Sequence, residues 1–171
     1  MGNIDRIIED CRNKEPTIFI CPPGQCFMYR SMTLPQVVYA LLQGGVITGE
    51  DYCSEHCLNL GKGDVLFFDD YPLCDSILVN PKGIFSDLHF MDDRDIFLRK
   101  TGIDIGEIKY FKSAFLLGAD LTVSGVEFYP VRGHIFASNG PFPLNQFSEQ
   151  SRGLIRTALD IKEGHPYHEL V

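Results

Sequence analysis

The stretch TIFICPPGQCFMYRSMTLPQVVYALLQG, residues 17–44, decides the fold of this chain. It opens with the apolar run Thr17–Cys21, whose residues favour a buried strand. A Pro-Pro-Gly turn follows at residues 22–24, and a second short strand is predicted at Phe27–Arg30. The stretch therefore begins as strand, turn and strand before its pattern changes to that of a helix.

The second half of this stretch predicts a helix over residues 33–43. Thr33 is a good N-cap, and Pro35 is tolerated in the first helical turn. Gly44 ends the pattern in the way that glycine commonly ends helices. The apolar positions at helical spacing are Val37, Val38, Leu41 and Leu42.

Working outward, helices are predicted at residues 3–13 and at Phe147–Ile161, where Ser148 is the expected N-cap. Further strands are predicted at Val65–Phe68, Ser76–Val79, Tyr110–Leu117, Val123–Tyr129 and Gly133–Ala137. Runs of strands with helices at the flanks favour an α+β fold with a mostly antiparallel sheet. The length of 171 residues predicts a single domain over residues 1–171.

The composition is that of an ordinary globular chain. Hydrophobic residues make up 44% and charged residues 22%, which excludes a disordered or fibrous protein. A chain of 19.3 kDa buries roughly 70% of its unfolded surface, so its core needs no disulfide or metal.

The charge and the cysteines indicate the compartment and the kind of partner. The net charge of −8 disfavours nucleic acid and anionic lipid as ligands. The N-terminal residues are too charged for a secretory leader, and six cysteines without a leader indicate reduced thiols. We therefore expect a cytoplasmic protein without an obligate cofactor, a bound metal or a membrane partner. The oligomeric state stays open.

Acidic residues are concentrated in segment 64–95, which carries eight aspartates, one lysine and one arginine. Such a field attracts a basic protein, and small acidic inhibitors of secreted toxins offer an analogy of charge and size. The leading hypothesis is therefore a non-enzymatic binding or inhibitor protein for a more basic protein partner. A solvated acidic face and a divalent-cation site are the alternatives. The expected partner-binding residues are Asp69, Asp70, Asp75, Asp92 and Asp93.

The alternative function is a thiol hydrolase or deamidase that uses Cys26 and His134. The order Cys26, His134, Asn139 is similar to that of papain-like enzymes, in which the imidazole takes the thiol proton and a third group fixes the ring. Gln25 would offer an amide to an oxyanion. Those enzymes seat the cysteine at a helix N-terminus, whereas the helix here begins near Thr33.

Two further patterns stay open. The pairs Cys21/Cys26 and Cys53/Cys57, with His56 between the latter two, resemble the knuckles of a structural zinc site. The triplet at residues 29–31, Tyr-Arg-Ser, resembles the first strand of ADP-ribosylating toxins. Those toxins also use a Glu-x-Glu or Gln-x-Glu pair, which this chain lacks.

Overall fold

The computed structural model describes residues 3–12, 15–24, 27–48, 63–79, 94–95, 97–106, 108–122 and 125–171. Its helices are α1 (Asn3–Cys11), α2 (Leu34–Leu42), α3 (Tyr71–Val79) and α4 (Glu149–Leu159). Its strands are β1 (Ile18–Ile20), β2 (Phe27–Thr33), β3 (Val46–Ile47), β4 (Leu66–Phe68), β5 (Ala114–Asp120), β6 (Phe128–Arg132), β7 (Ile135–Ser138) and β8 (Phe142–Pro143). Short 3-10 turns occur at Lys109–Lys112, Leu144–Gln146 and His168–Leu170. Residues 94–95 and 97–101 are also helical.

Six strands form the main sheet in the order β1-β5-β2-β4-β7-β6. The β1–β5 pair is parallel, and the other described pairs in this sheet are antiparallel. Strands β3 and β8 form a separate antiparallel ribbon. The fold is therefore α+β with a mostly antiparallel sheet and flanking helices, as the sequence predicts.

The N-caps predicted at Thr33 and Ser148 are confirmed. Thr33 Oγ1 accepts the Gln36 N–H at 3.4 Å, and Gln36 Oε1 accepts the Thr33 N–H at 2.9 Å, which forms a reciprocal capping box. Ser148 Oγ accepts the Ser151 N–H at 3.2 Å. Helix α4 ends earlier than predicted, because Asp160 adopts a left-handed conformation with φ 53°.

The strand predicted at Ser76–Val79 is wrong, since these residues belong to α3. Asp70 Oδ1 accepts the Leu73 N–H at 2.9 Å and Pro72 lies in the first turn, so α3 begins with the same kind of signals as α2. A short apolar run does not by itself distinguish a strand from a buried helix segment.

The later strands lie close to their predicted places, with shifted ends. β5 begins at Ala114 instead of Tyr110, because the preceding residues form the 3-10 turn at Lys109–Lys112. β6 runs to Arg132, and β7 follows after a turn at Gly133 and His134. The φ of 54° at Gly133 is a left-handed conformation that glycine adopts at low cost.

The main sheet has two unequal faces, because successive residues of a strand point to opposite sides. The helix-covered face carries the large buried cluster with α1, α2 and α4, and the α3 face carries a smaller one. Sheet residues of the large cluster include Met28, Met32, Phe67, Phe115 and Leu117. The small cluster consists of Tyr29, Cys74, Ala114 and Leu116.

Candidate functional site: an aspartate pair beside His134

The candidate site lies where β4 ends and β7 begins. These antiparallel neighbours pair Phe68 with Ile135, so the residues just beyond them meet at one edge of the sheet. Asp69 follows β4, and its N–H donates to the His134 carbonyl at 3.1 Å. The backbone thereby fixes Asp69 beside the turn that carries His134.

The side chains of Asp69, Asp70 and His134 converge at this place. His134 Nδ1 lies 2.8 Å from Asp69 Oδ1, and His134 Nε2 lies 3.9 Å from Asp70 Oδ2. The side chains of His134, Asp69 and Asp70 are 59%, 41% and 34% exposed. We call Asp69 and Asp70 the acidic pair, which presents two carboxylates to solvent around one imidazole.

Asp70 is positioned by α3. It precedes the helix, its Oδ1 accepts the Leu73 N–H, and its carbonyl oxygen accepts the Cys74 N–H at 3.1 Å. A carboxylate at this place also meets the positive end of the helix dipole. Helix α3 therefore fixes one oxygen of Asp70 and leaves the other directed toward His134.

The remaining candidate partner-binding residues differ from the acidic pair. Asp75 is half-buried on α3, and its Oδ1 is enclosed without a hydrogen-bond partner. Burial, followed by the Asp75 charge, raises the pKa of Tyr71. Asp92 and Asp93 lie outside the described residues.

Asp64 shows that the acidic segment is not one continuous surface. This carboxylate is buried, and it accepts hydrogen bonds from the Tyr129 hydroxyl and, at 2.7 Å, from the Gly140 N–H. It precedes β4, whereas Asp69 follows it, so the two carboxylates lie at opposite ends of the strand. Asp64 joins β4 to the end of β7 and is not available to a partner.

The structure does not bring His134 and Asn139 together. They flank β7, and a strand of this length separates its flanking residues by roughly 16 Å. Asp69, rather than Asn139, is the residue that contacts the His134 ring, at Nδ1. Cys26 and Gln25 lie outside the described residues.

The described cysteines, Cys11, Cys21 and Cys74, are buried. Burial raises the pKa of Cys74 to about 11, although the nearby Ser31 hydroxyl, 3.3 Å from Sγ, acts in the opposite direction. A protonated, buried thiol is a poor nucleophile. The other residues of the zinc hypothesis, Cys26, Cys53, His56 and Cys57, lie outside the described residues.

The triplet Tyr29-Arg30-Ser31 lies within β2 and makes contacts internal to the fold. Arg30 Nη1 donates to the Leu66 carbonyl at 3.0 Å, which ties β2 to β4. The Tyr29 hydroxyl accepts the Gly24 N–H at 3.1 Å, and Ser31 contacts Cys74 on α3. These contacts join the central strands to their surroundings.

Comparisons with protein-family models, with curated proteins and with solved structures yield no match to this chain. Within the described ranges, no helix has both the length and the apolar character that crossing a bilayer requires.

Proposed function

We propose that this protein binds a more basic protein partner through the acidic pair. The observation that carries the proposal is how little of the negative charge on these two carboxylates the described fold neutralises. Asp69 is exposed and Asp70 is partly exposed, and the basic side chain within 4.0 Å of them among the described residues is the imidazole of His134. Neither carboxylate has a lysine or arginine partner among the described residues.

Elsewhere in the described chain, arginine neutralises the carboxylates of Asp104 and Glu149. Asp104 pairs with Arg94 at 2.8 Å, and this contact lowers the pKa of the Asp104 carboxyl. Glu149 contacts Arg156 and Arg152, and the hydrogen bond from Arg156 is the main cause of its lowered pKa. Arginine thus neutralises Asp104 and Glu149 within the fold, whereas the acidic pair meets His134 and solvent.

Attraction between these carboxylates and a basic partner should act mainly on the association rate. Two unit charges 4 Å apart attract by about 1 kcal/mol in water and about 4 kcal/mol near a protein surface. Charges at the rim of an interface change the association rate and its salt dependence more than the dissociation rate. A partner with Lys or Arg opposite Asp69 and Asp70 would therefore be captured fastest at low salt. Asp75, Asp92 and Asp93 are proposed to extend the same field.

The test compares two double variants that remove equal charge. One is Asp69→Asn with Asp70→Asn, in which the asparagine introduced before α3 can keep the helix cap. The matched control is Glu163→Gln with Glu169→Gln, since both glutamates are exposed near the other end of the chain. Association with a partner recovered by pull-down is measured at low salt and at about 1 M salt, where the screening length falls to ~3 Å.

We expect the aspartate variant to associate several-fold more slowly at low salt, the control to stay near wild type, and the difference to vanish at high salt. Equal slowing of both variants would assign the effect to net charge alone. Unchanged association in the aspartate variant would show that Asp69 and Asp70 are solvated surface residues without a role in binding.

A second candidate, the thiol hydrolase or deamidase, is favoured by the 2.8 Å contact between Asp69 and His134. A carboxylate on Nδ1 orients an imidazole so that Nε2 can take a proton from a thiol. An activated Cys26 would then react rapidly with iodoacetamide near neutral pH, and both His134→Asn and Asp69→Asn would slow that reaction. Labelling is read by peptide mass spectrometry, with buried Cys74 as the internal control. Slow labelling of Cys26 in all three proteins would exclude this candidate.

A further inference from the structure

The two edges of the main sheet differ in how they meet solvent. Strand β6 forms one edge, and it contains Pro130, a register shift before Arg132, and the charge of Arg132 itself. Proline removes a donor, and a bulge and a charge disturb the pairing of a further strand. This edge is therefore protected against strand addition.

Strand β1 forms the other edge of the described sheet, and it carries none of these features. Its sequence is Ile18-Phe19-Ile20, with no charge, no proline and a regular parallel register to β5. Two hydrogen bonds at its ends show which of its main-chain groups face β5. The Cys21 N–H donates to the Leu116 carbonyl at 3.0 Å, and the Thr17 carbonyl accepts the Ala114 N–H at 3.1 Å.

These two bonds assign the main-chain groups of β1. Because alternate residues of a strand direct their N–H and C=O groups to opposite sides, Thr17, Phe19 and Cys21 bond toward β5. Ile18 and Ile20 then direct both N–H groups and both carbonyls to the open side. No hydrogen bond to another described residue occupies these four groups on that side.

The side chains of the same two residues are exposed. Ile18 and Ile20 are 37% and 39% exposed, among the few large apolar side chains with such exposure in the described chain. They lie beside Ala114 and Leu116, so they extend the α3 face of the sheet to its edge. Main-chain donors, main-chain acceptors and apolar side chains thus lie together on one strand.

We propose that the open edge of β1 binds an extended segment of a protein partner, which adds to the sheet as a further strand. The free N–H and C=O groups require an extended occupant, and Ile18 and Ile20 require apolar side chains beside them. The net charge of −8 favours Lys or Arg at the ends of that segment. The choice of a basic segment rests on the proposed function. The inference that an extended segment binds at this edge rests on the geometry of β1 alone.

A second copy of the chain is a poorer occupant of this edge. It would bring the same charge of −8 to a contact that extends over three strand residues. The like charges of the two copies oppose this contact. A basic extended segment gains from the same charge that opposes a second copy.

The test uses a synthetic peptide with a Thr-Val-Thr-Val-Thr centre and two lysines at each end. Amide hydrogen exchange is followed residue by residue by NMR, with and without millimolar peptide. We expect the Ile18 and Ile20 amides to exchange quickly in the free protein and at least about tenfold more slowly with peptide. The Phe19 and Cys21 amides, which bond toward β5, should be protected in both states.

Three controls make the result specific. Ile20→Pro removes an N–H group that faces the open side and leaves the hydrogen bonds to β5 in place. It should therefore abolish peptide binding. Its melting temperature should stay near that of Ile20→Thr, which keeps the N–H group. If Ile20→Pro fails to fold, Ile18→Lys replaces it, since a charge on the edge also opposes strand addition. A peptide N-methylated at alternate residues, on its pairing edge, should not bind.

The outcomes separate this proposal from the proposed function. No protection of Ile18 and Ile20 by the peptide, or protection that survives Ile20→Pro, would overturn strand addition. Protection without peptide, together with a dimer in analytical ultracentrifugation, would show a second copy at the edge and also overturn it. A strand added beside β1 lies four strand spacings, roughly 19 Å, from β4, which is beyond the range of screened charges. The Asp69→Asn/Asp70→Asn variant should therefore bind the peptide as the wild type does, so failure of the acidic-pair test would leave strand addition standing.

Discussion

The two faces of the main sheet share the same strands, yet they differ in how much apolar surface they bury. On the helix-covered face, Phe67 lies at the centre of an aromatic cluster whose other rings are Phe128, Phe142 and Phe147. On the α3 face, the buried cluster is small and is bordered by the acidic pair and by the exposed side chains of β1.

This difference teaches that apolar burial, which dominates folding stability, is concentrated on one side of the sheet. The other side can then carry uncompensated carboxylates and an open strand edge at little cost to folding. Substitutions on the two faces should accordingly differ in effect, and the expected differences range from several kcal/mol to almost nothing.

The largest contrast is expected between two neighbours on β4. Phe67→Ala should destabilise the fold by about 3–5 kcal/mol, because it removes a fully buried ring and leaves a cavity. Phe68→Ala, on the α3 face, should lose clearly less, because Phe68 is half-buried. Urea unfolding measures both values, and equal losses would contradict the inequality of the two faces.

The next contrast tests the helix-covered face along α4. Leu159 is fully buried, whereas Leu154 is half-buried against the same cluster. Leu159→Ala should cost about 2–5 kcal/mol, and Leu154→Ala should cost less. Losses below about 1 kcal/mol at both positions would mean that α4 contributes little to the core.

A smaller effect is expected on the α3 face at alkaline pH. The pKa of Cys74 is about 11 in the fold and 9.0 ordinarily, so the folded chain keeps a proton that the unfolded chain releases. Stability from this thiol is complete below pH 9.0 and is lost as the pH rises toward 11. The loss reaches at most roughly 2–3 kcal/mol.

Thermal unfolding at about pH 8 and about pH 10 measures this dependence, with Cys74→Ala as the comparison. The variant should lose stability less steeply across this interval than the wild type. Parallel pH profiles for the two proteins would show that the Cys74 thiol does not carry the effect.

The smallest effects on stability are expected at the acidic pair. Asp69→Asn should change the free energy of unfolding by no more than about 0.5 kcal/mol, because its side chain is exposed. Asp70→Asn should be similarly mild because asparagine is a good N-cap, whereas Asp70→Ala should cost about 1 kcal/mol. A loss above about 2 kcal/mol for Asp69→Asn would make this residue part of the structural core.

Local signals were sufficient to predict the helices that flank the sheet. Thr33 and Ser148 each cap a helix through their own hydroxyl, and such contacts reach only a few residues along the chain. The same kind of signal is present at Asp70 and Pro72, but the apolar run at Ser76–Val79 also favours a strand. The error arose because a short apolar run fits either element.

The candidate site could be predicted only in part. Asp69, Asp70 and His134 were singled out for their chemistry, but the contact between Asp69 and His134 joins residues 65 positions apart. Only the pairing of β4 with β7 brings them together. The hydrolase hypothesis chose Asn139 because it is near His134 in sequence, and an extended strand makes that nearness misleading.

The position of β5 between β1 and β2 has a kinetic consequence. This strand pairs with β1 and β2, which lie far ahead of it, and the hydrogen bond from the Thr17 N–H to Ser113 spans 96 residues. Such long-range closure slows folding. During synthesis at about 5–20 residues per second, roughly 4–16 s separate the emergence of β2 from that of β5. Until then β1 lacks its described partner, and β2 can pair only with β4. Chains truncated before Ala114 should therefore be protease-sensitive and should depend on chaperones. A protease-resistant core in such chains would contradict this order of events.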